Sequence, residues 1–254
     1  MPGDSDLFLF DTGAGSDTGR LREHNEDSYL SLPSAGVWVV ADGMGGHQAG
    51  DVASAIITSE IESVGVPVSA QDQRARVSER LDRAHHRILA RSAEMGNVTI
   101  GATVVALLIH EAGFVCLWAG DSRIYLMRQG RLSRLTVDHS EVQELLSSGM
   151  IDEEEARHWP RKNVITRAIG IHDGPNYETV TGSVQQGDVF LLCSDGLTEH
   201  LRDEELAEVL ASDRATAQQM VDHLIDETLR RGARDNVTCL AVRCLPRGGE
   251  GHDL

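Results

Sequence analysis

VWVVADGMGGHQAG, residues 37–50, opens as an apolar run of strand length and breaks at Asp42-Gly43 into a glycine-rich turn. Helical periodicity then follows from Ala49 to Val64. An Asp-Gly pair after a strand is by default only a turn. Here the arrangement recurs: Asp195 ends the run in FLLCSDG, Asp121 ends FVCLWAGDSR, and Asp235 precedes NVTCLAV. Four aspartates at the ends of four buried strands are not what solvated surface charge looks like. Gathered without cations, they would repel and raise one another's pKa values. A divalent ion removes that cost, and oxygen-only ligation selects hard cations, Mg²⁺ or Mn²⁺, over zinc. The eleven histidines are scattered with no HExxH spacing.

Working outward, Thr103–Ile109, Phe114–Ala119, Ile124–Met127, Val189–Cys193 and Val237–Val242 also read as strands. His110–Gly113 and Gln129-Gly130 read as hairpin turns, which imply antiparallel sheet. Helices are expected over Gln71–Glu94, Asp203–Leu210 and Ala215–Arg231, with Asp203 and Asp213 at N-cap positions. Helices in two blocks, with strands between and after them, suit an α+β sandwich better than a βαβ alternation. There is no internal repeat, so one domain is expected over residues 7–245, with a C-terminal tail at 246–254. Residues 138–170 break the pattern with an acidic DEEEA segment and two short helix-like pieces, an insertion of functional length.

The net charge of −17 argues against nucleic acid as a partner, because a polyanion needs clustered Lys and Arg. No run approaches the roughly 20 apolar residues of a membrane helix, and Met1–Phe10 carries no basic signal region. A cytoplasmic monomer is the expectation. Cys116, Cys193, Cys239 and Cys244 lie in or beside apolar runs with no CxxC pair, as buried reduced thiols would. Near the N-terminus, REHNED sets Arg22 close to Glu26 and Asp27, and a guanidinium fork suits two oxygens of a phosphate.

The blocks RLREHNEDS, VVADGMGGHQAG, GATVV, WAGDSRIY, LTVDHS, TRAIG, LLCSDGLTE and RDNVT, in this order from Arg20 to Val242, resemble the metal-dependent protein phosphatases of the type 2C class in their compact bacterial form. The resemblance implies a four-layer α-β-β-α sandwich, two antiparallel β-sheets flanked by helices, with residues 138–170 as a flap insertion beside the active site. It implies that Asp42 bridges two metals, that the Gly43 carbonyl binds one, and that Asp195 and Asp235 complete the other. Asp121, with Asp195, matches the ligands of a weaker third ion. Glu26 and Asp27 would hold metal-bound waters, and Arg22 would bind the phosphate. The implied cofactors are Mn²⁺ or Mg²⁺, two core ions and a weaker third.

The implied reaction is attack of a metal-activated water on phosphoserine or phosphothreonine of a protein, with no phosphoenzyme. The implied partners are phosphorylated proteins, a serine/threonine kinase and its substrates. Two alternatives are weighed: a metal-dependent hydrolase of small phosphate esters, and a catalytically dead phosphoprotein-binding module, which would be expected to lose ligands that are present here. The chain departs from some family members at Met44, where they carry a histidine proposed to protonate the leaving group. His47 is the nearest imidazole; otherwise the step falls to water. Arg161, Lys162 and the loop around His139 are expected to influence which phosphoprotein is accepted.

Overall fold

The computed structural model describes residues 7–45, 49–161, 163–171 and 173–247. The strands are β1 Phe8–Asp17, β2 Asp27–Leu32, β3 Val37–Gly45, β4 Ile100–Ala102, β5 Val104–His110, β6 Gly113–Ala119, β7 Arg123–Arg128, β8 Arg131–Arg134, β9 Glu178–Ser183, β10 Val189–Cys193 and β11 Val237–Pro246. The helices are α1 Gly50–Glu62, α2 Ala70–Glu94, α3 Glu141–Ser147, α4 Glu153–Arg157, α5 Asp195–Thr198, α6 Asp203–Leu210 and α7 Ala217–Arg230.

One sheet has the order β1-β11-β10-β7-β8 and the other β2-β3-β5-β6-β9, with β4 paired to the end of β3. Every pairing is antiparallel. The central strands are apolar without alternation because both of their faces are covered. On β3, Val37, Val39 and Ala41 pack under α1 and α2, while Trp38 and Val40 point between the sheets. On β10, Phe190 and Leu192 fill the same inter-sheet core, while Val189, Leu191 and Cys193 pack toward α6 and α7. Three apolar layers therefore separate four layers of secondary structure, the α-β-β-α sandwich that the resemblance implies. All four cysteines are buried and unpaired.

The expected hairpins form. Gln129 and Gly130 both take the left-handed backbone (φ 51° and 76°) that a two-residue turn between β7 and β8 requires. The cap assignments differ from expectation. Asp203 is the first residue inside α6, behind Arg202. At α7 the cap is Thr216 instead of Asp213, its hydroxyl accepting from Gln219 N at 3.2 Å while Gln219 Oε1 accepts from Thr216 N at 2.9 Å. The last strand runs to Pro246, one residue into the expected tail. Helices α3 and α4 are the two short pieces of the 138–170 insertion, which is closed on itself by a backbone bridge at Ser140–Ile165 and tied to the body by one at Ala102–Ile169.

Candidate metal centre

The loop before β2, the end of β3, the β6–β7 turn, the start of α5 and the residue before β11 converge on one cavity of about 280 Å³. Asp42, Asp121, Asp195 and Asp235 line it, so residues drawn from four separate strand ends meet. Arg22, Glu26 and Gly43 line it as well. Asp27 lies behind Asp42, buried, with Ser194 Oγ donating to its Oδ2 at 2.9 Å. Its Oδ1 is buried and receives no hydrogen bond.

These carboxyls share one electrostatic problem. Burial pushes Asp42 well above the usual carboxylate range, and the charges of Asp27, Asp195, Asp121 and Asp235 push it further. Asp195 is raised in the same way, by burial and then by Asp121, Glu199 and Asp235. Burial raises Asp27 to about 6 and Asp121 to about 6, with Asp138 adding to the latter. Such a cluster is costly when ionised and uncompensated. An unsatisfied buried oxygen beside repelling carboxylates fits a donor set built for cations. Among the described residues no three His, Cys, Asp or Glu side chains close on a single point. The carboxylates line one cavity, and hard ions that keep part of their water shell can bind through few protein oxygens each.

Local packing explains how the ligands are presented. Gly43 passes so close to α1 that a Cβ there would sit 2.0 Å from Gly50 O. Gly43 N also donates to Glu26 O at 3.0 Å. Residue 49, the cap of α1, is an alanine with no side-chain oxygen to offer. Glu26 Oε1 instead accepts from Gly50 N at 3.2 Å, placing a negative charge at a helix N-terminus. Arg22 Nη2 reaches Asp235 Oδ2 at 2.6 Å, an ion pair that spans the chain from end to end and is half exposed.

Three residues that sequence reasoning missed hold this geometry. Asn236 is buried beside Asp235; its Oδ1 accepts from Glu26 N at 2.8 Å and its Nδ2 donates to Thr18 O at 2.9 Å and His24 O at 3.0 Å. It thereby latches the loop that carries Arg22. Thr103 donates its N–H to Asp42 O at 2.8 Å, and its Oγ1 accepts from Asp42 N at 3.3 Å. That hydroxyl also pairs with Ser122 Oγ at 2.7 Å, next to Asp121. The motifs RDNVT, GATVV and WAGDSRIY contain all three, but their local pattern does not reveal what they bond.

In the insertion, Asn163 lines the cavity and donates to Glu199 Oε1 at 3.1 Å. Arg161 points elsewhere, its guanidinium paired with Glu141 at 3.0 Å. His47 and Lys162 lie outside the described residues. Met44 lines the cavity where some members of the resembled class carry a histidine. Among the described residues no helix is long and apolar enough to cross a membrane.

A family model described as protein phosphatase 2C matches residues 15–236. The serine/threonine phosphatase stp of Listeria monocytogenes is 36% identical over 235 residues, which cover 89% of this chain and 93% of that protein. PppA, described as a key regulatory component of T6SS in Pseudomonas aeruginosa, superposes with a TM-score of 0.85 at 38% identity, covering 93% of this chain and 98% of that one. The catalytic domain of the serine/threonine phosphatase PstP, solved in complex with two manganese ions, superposes with a TM-score of 0.85 at 31% identity over 94% of this chain and 99% of that one.

Proposed function

The chain belongs to the protein phosphatase 2C family and is a metal-dependent serine/threonine protein phosphatase, and from that premise we propose how its residues divide the work. Asp42, Asp195, Asp235 and the Gly43 carbonyl hold two core divalent cations, and Asp121 with Asp195 holds a weaker third. Glu26 and Asp27 act through water, with Glu26 also fixing the start of α1 against β3. Mn²⁺ is the proposed core ion, because the similar PstP domain carries two; Mg²⁺ is the other hard cation that the oxygen donors would accept. Bound there, such ions supply Lewis acidity toward water and the phosphoryl oxygens.

The remaining work falls to the chain itself. Arg22 grips two phosphoryl oxygens with its guanidinium fork, exchanging its bond to Asp235 for the substrate. Asn236 keeps that arginine in register with the carboxylates. Thr103 fixes Asp42 through both main-chain groups of that aspartate. Met44 offers no proton, so the leaving oxygen takes its proton from solvent.

One observation carries the proposal: Asp42 lines the cavity within the field of four other carboxylates, an arrangement that needs bound cations to be favourable once the groups are ionised. The substrate is proposed to be the product of a serine/threonine kinase, since a phosphatase of this specificity removes what such a kinase adds. Unpaired cysteines fit a reducing, cytoplasmic location. Rates with Mn²⁺ on phosphothreonine peptides and on small phosphate monoesters test the substrate class. Faster turnover of the peptides supports the reading, and a preference for the small esters contradicts it.

A further inference from the structure

Asp121 stands in a turn that is gripped from both sides, and one of the grips comes from the 138–170 insertion. Gly120, just before it, has φ of +111°, a conformation open to glycine, and a Cβ there would meet Thr103 Cβ at 2.5 Å. Both main-chain polar groups of Gly120 are taken by one residue. His139 N donates to Gly120 O at 2.9 Å, and Gly120 N donates to His139 Nδ1 at 3.2 Å. On the other side of Asp121, Ser122 is held by Thr103.

The His139 ring has little freedom. It is 6% exposed and lies against Trp118, with ring centroids 5.9 Å apart and planes 14° from parallel. Trp118 Nε1 in turn donates to Val137 O at 2.8 Å. Because Nδ1 accepts a hydrogen bond from an N–H, the ring proton sits on Nε2, which faces Glu178 Oε1 at 3.4 Å. Burial and the Arg167 charge lower the pKa of the ring, in keeping with a neutral imidazole. The carbonyl of His139 accepts from Thr166 N at 2.8 Å, closing the insertion on itself.

We propose that His139 is a positioning residue for Asp121: by clasping Gly120 it sets the carboxylate at the weaker cation site and ties the seating of the insertion to the affinity of that site. This rests on the reading of Asp121 given above. A site with few protein ligands has no redundancy, so the orientation of each carboxylate governs its affinity.

The test is Mn²⁺ binding to the full chain, followed by electron paramagnetic resonance, with melting curves recorded in chelator. His139→Phe keeps a ring on Trp118 and removes the acceptor; His139→Asn gives up the ring but places its Oδ1 where Nδ1 stands. The expected result is a weaker-site dissociation constant raised about tenfold to a hundredfold in His139→Phe and close to wild type in His139→Asn. The reverse order would mean that the ring serves only packing, and would overturn the inference. Asp121→Asn should abolish the weaker site, and adding His139→Phe to it should change nothing further. If Asp121→Asn removes the site while His139→Phe leaves it intact, the inference fails alone; if Asp121→Asn leaves the titration unchanged, the site and the inference both fail. Should His139→Phe not fold, His139→Gln, whose amide oxygen cannot reach the Nδ1 position, takes its place with the same expectation.

Discussion

Asp27 on β2 stands directly opposite Asp42 on β3, so one cross-strand pair of this sheet is made of two carboxyls. Like charges in that relationship destabilise a sheet. Both groups are raised above the usual range, Asp27 to about 6 and Asp42 in the same direction by burial and by its carboxylate neighbours. A carboxyl with a raised folded-state pKa binds its proton more tightly in the native protein than in the unfolded chain. Metal-free stability from these groups is therefore present at low pH and falls as pH rises from about 4, the ordinary carboxylate value, through the raised values. Cations take the place of the lost protons. The increase in melting temperature that Mn²⁺ produces should accordingly be larger at about pH 7.5 than at about pH 5. Comparing samples with and without metal at each pH cancels the exposed ion pairs, which titrate the other way. An equal increase at both values would contradict this account.

Asn236 joins the two ends of the chain, and losing it should be felt in catalysis. In Asn236→Ala the Glu26 N–H loses its acceptor and the carbonyls of Thr18 and His24 lose their donor. The loop bearing Arg22 then shifts relative to Asp235. Steady-state kinetics on a phosphothreonine peptide should show kcat/KM lower by roughly tenfold or more, since small misplacements of positioning groups are expensive. Kinetics equal to wild type would rule out the latch.

The layers and the carboxylate site were legible in the sequence for a physical reason. Strands covered on both faces, such as Val37–Ala41 and Val189–Cys193, must be apolar at every position, and an aspartate that ends such a run stands out. Strand β1, FLFDTGAGSD, was not legible. It lies at a sheet edge, pairs only with β11, and tolerates two glycines where α7 packs close; a Cβ at Gly13 would sit 2.3 Å from the Ala217 backbone. Strand β9 is likewise a half-exposed edge, without an apolar run. The roles of Asn236 and Thr103 were hidden because their partners are backbone groups distant in the sequence, which no local period records. The bond from Gly50 N to Glu26 Oε1 depends on the packing of α1 against β3, which the motif REHNED does not encode.

The approach of α1 to β3 leaves no room for a side chain. A Cβ at Gly50 would lie 2.7 Å from the Gly43 carbonyl carbon and oxygen and 2.8 Å from Glu26 Cδ. Gly50→Ala should therefore cost about 1–3 kcal/mol of stability through overpacking, and should also weaken Mn²⁺ binding, because the displaced groups include the Gly43 carbonyl. Gly174→Ala, at a position where a Cβ meets nothing within 4 Å, is the matched control and should melt like wild type. Calorimetric melting and a Mn²⁺ titration of the two variants check both expectations.

The most direct measurement is hydrolysis of a phosphothreonine peptide by the wild type and by Asp195→Asn, in chelator and then with Mn²⁺ restored. Asp195 lines the cavity and is raised by burial and by the charges of Asp121, Glu199 and Asp235, so it should be a ligand that the ions cannot spare. The wild type should lose activity in chelator and regain it with Mn²⁺. Asp195→Asn, nearly isosteric and folded, should remain inactive by about a hundredfold or more at the same Mn²⁺ concentration. Hydrolysis that persists in chelator and survives the substitution would contradict the claim that this basin of carboxylates works by holding cations.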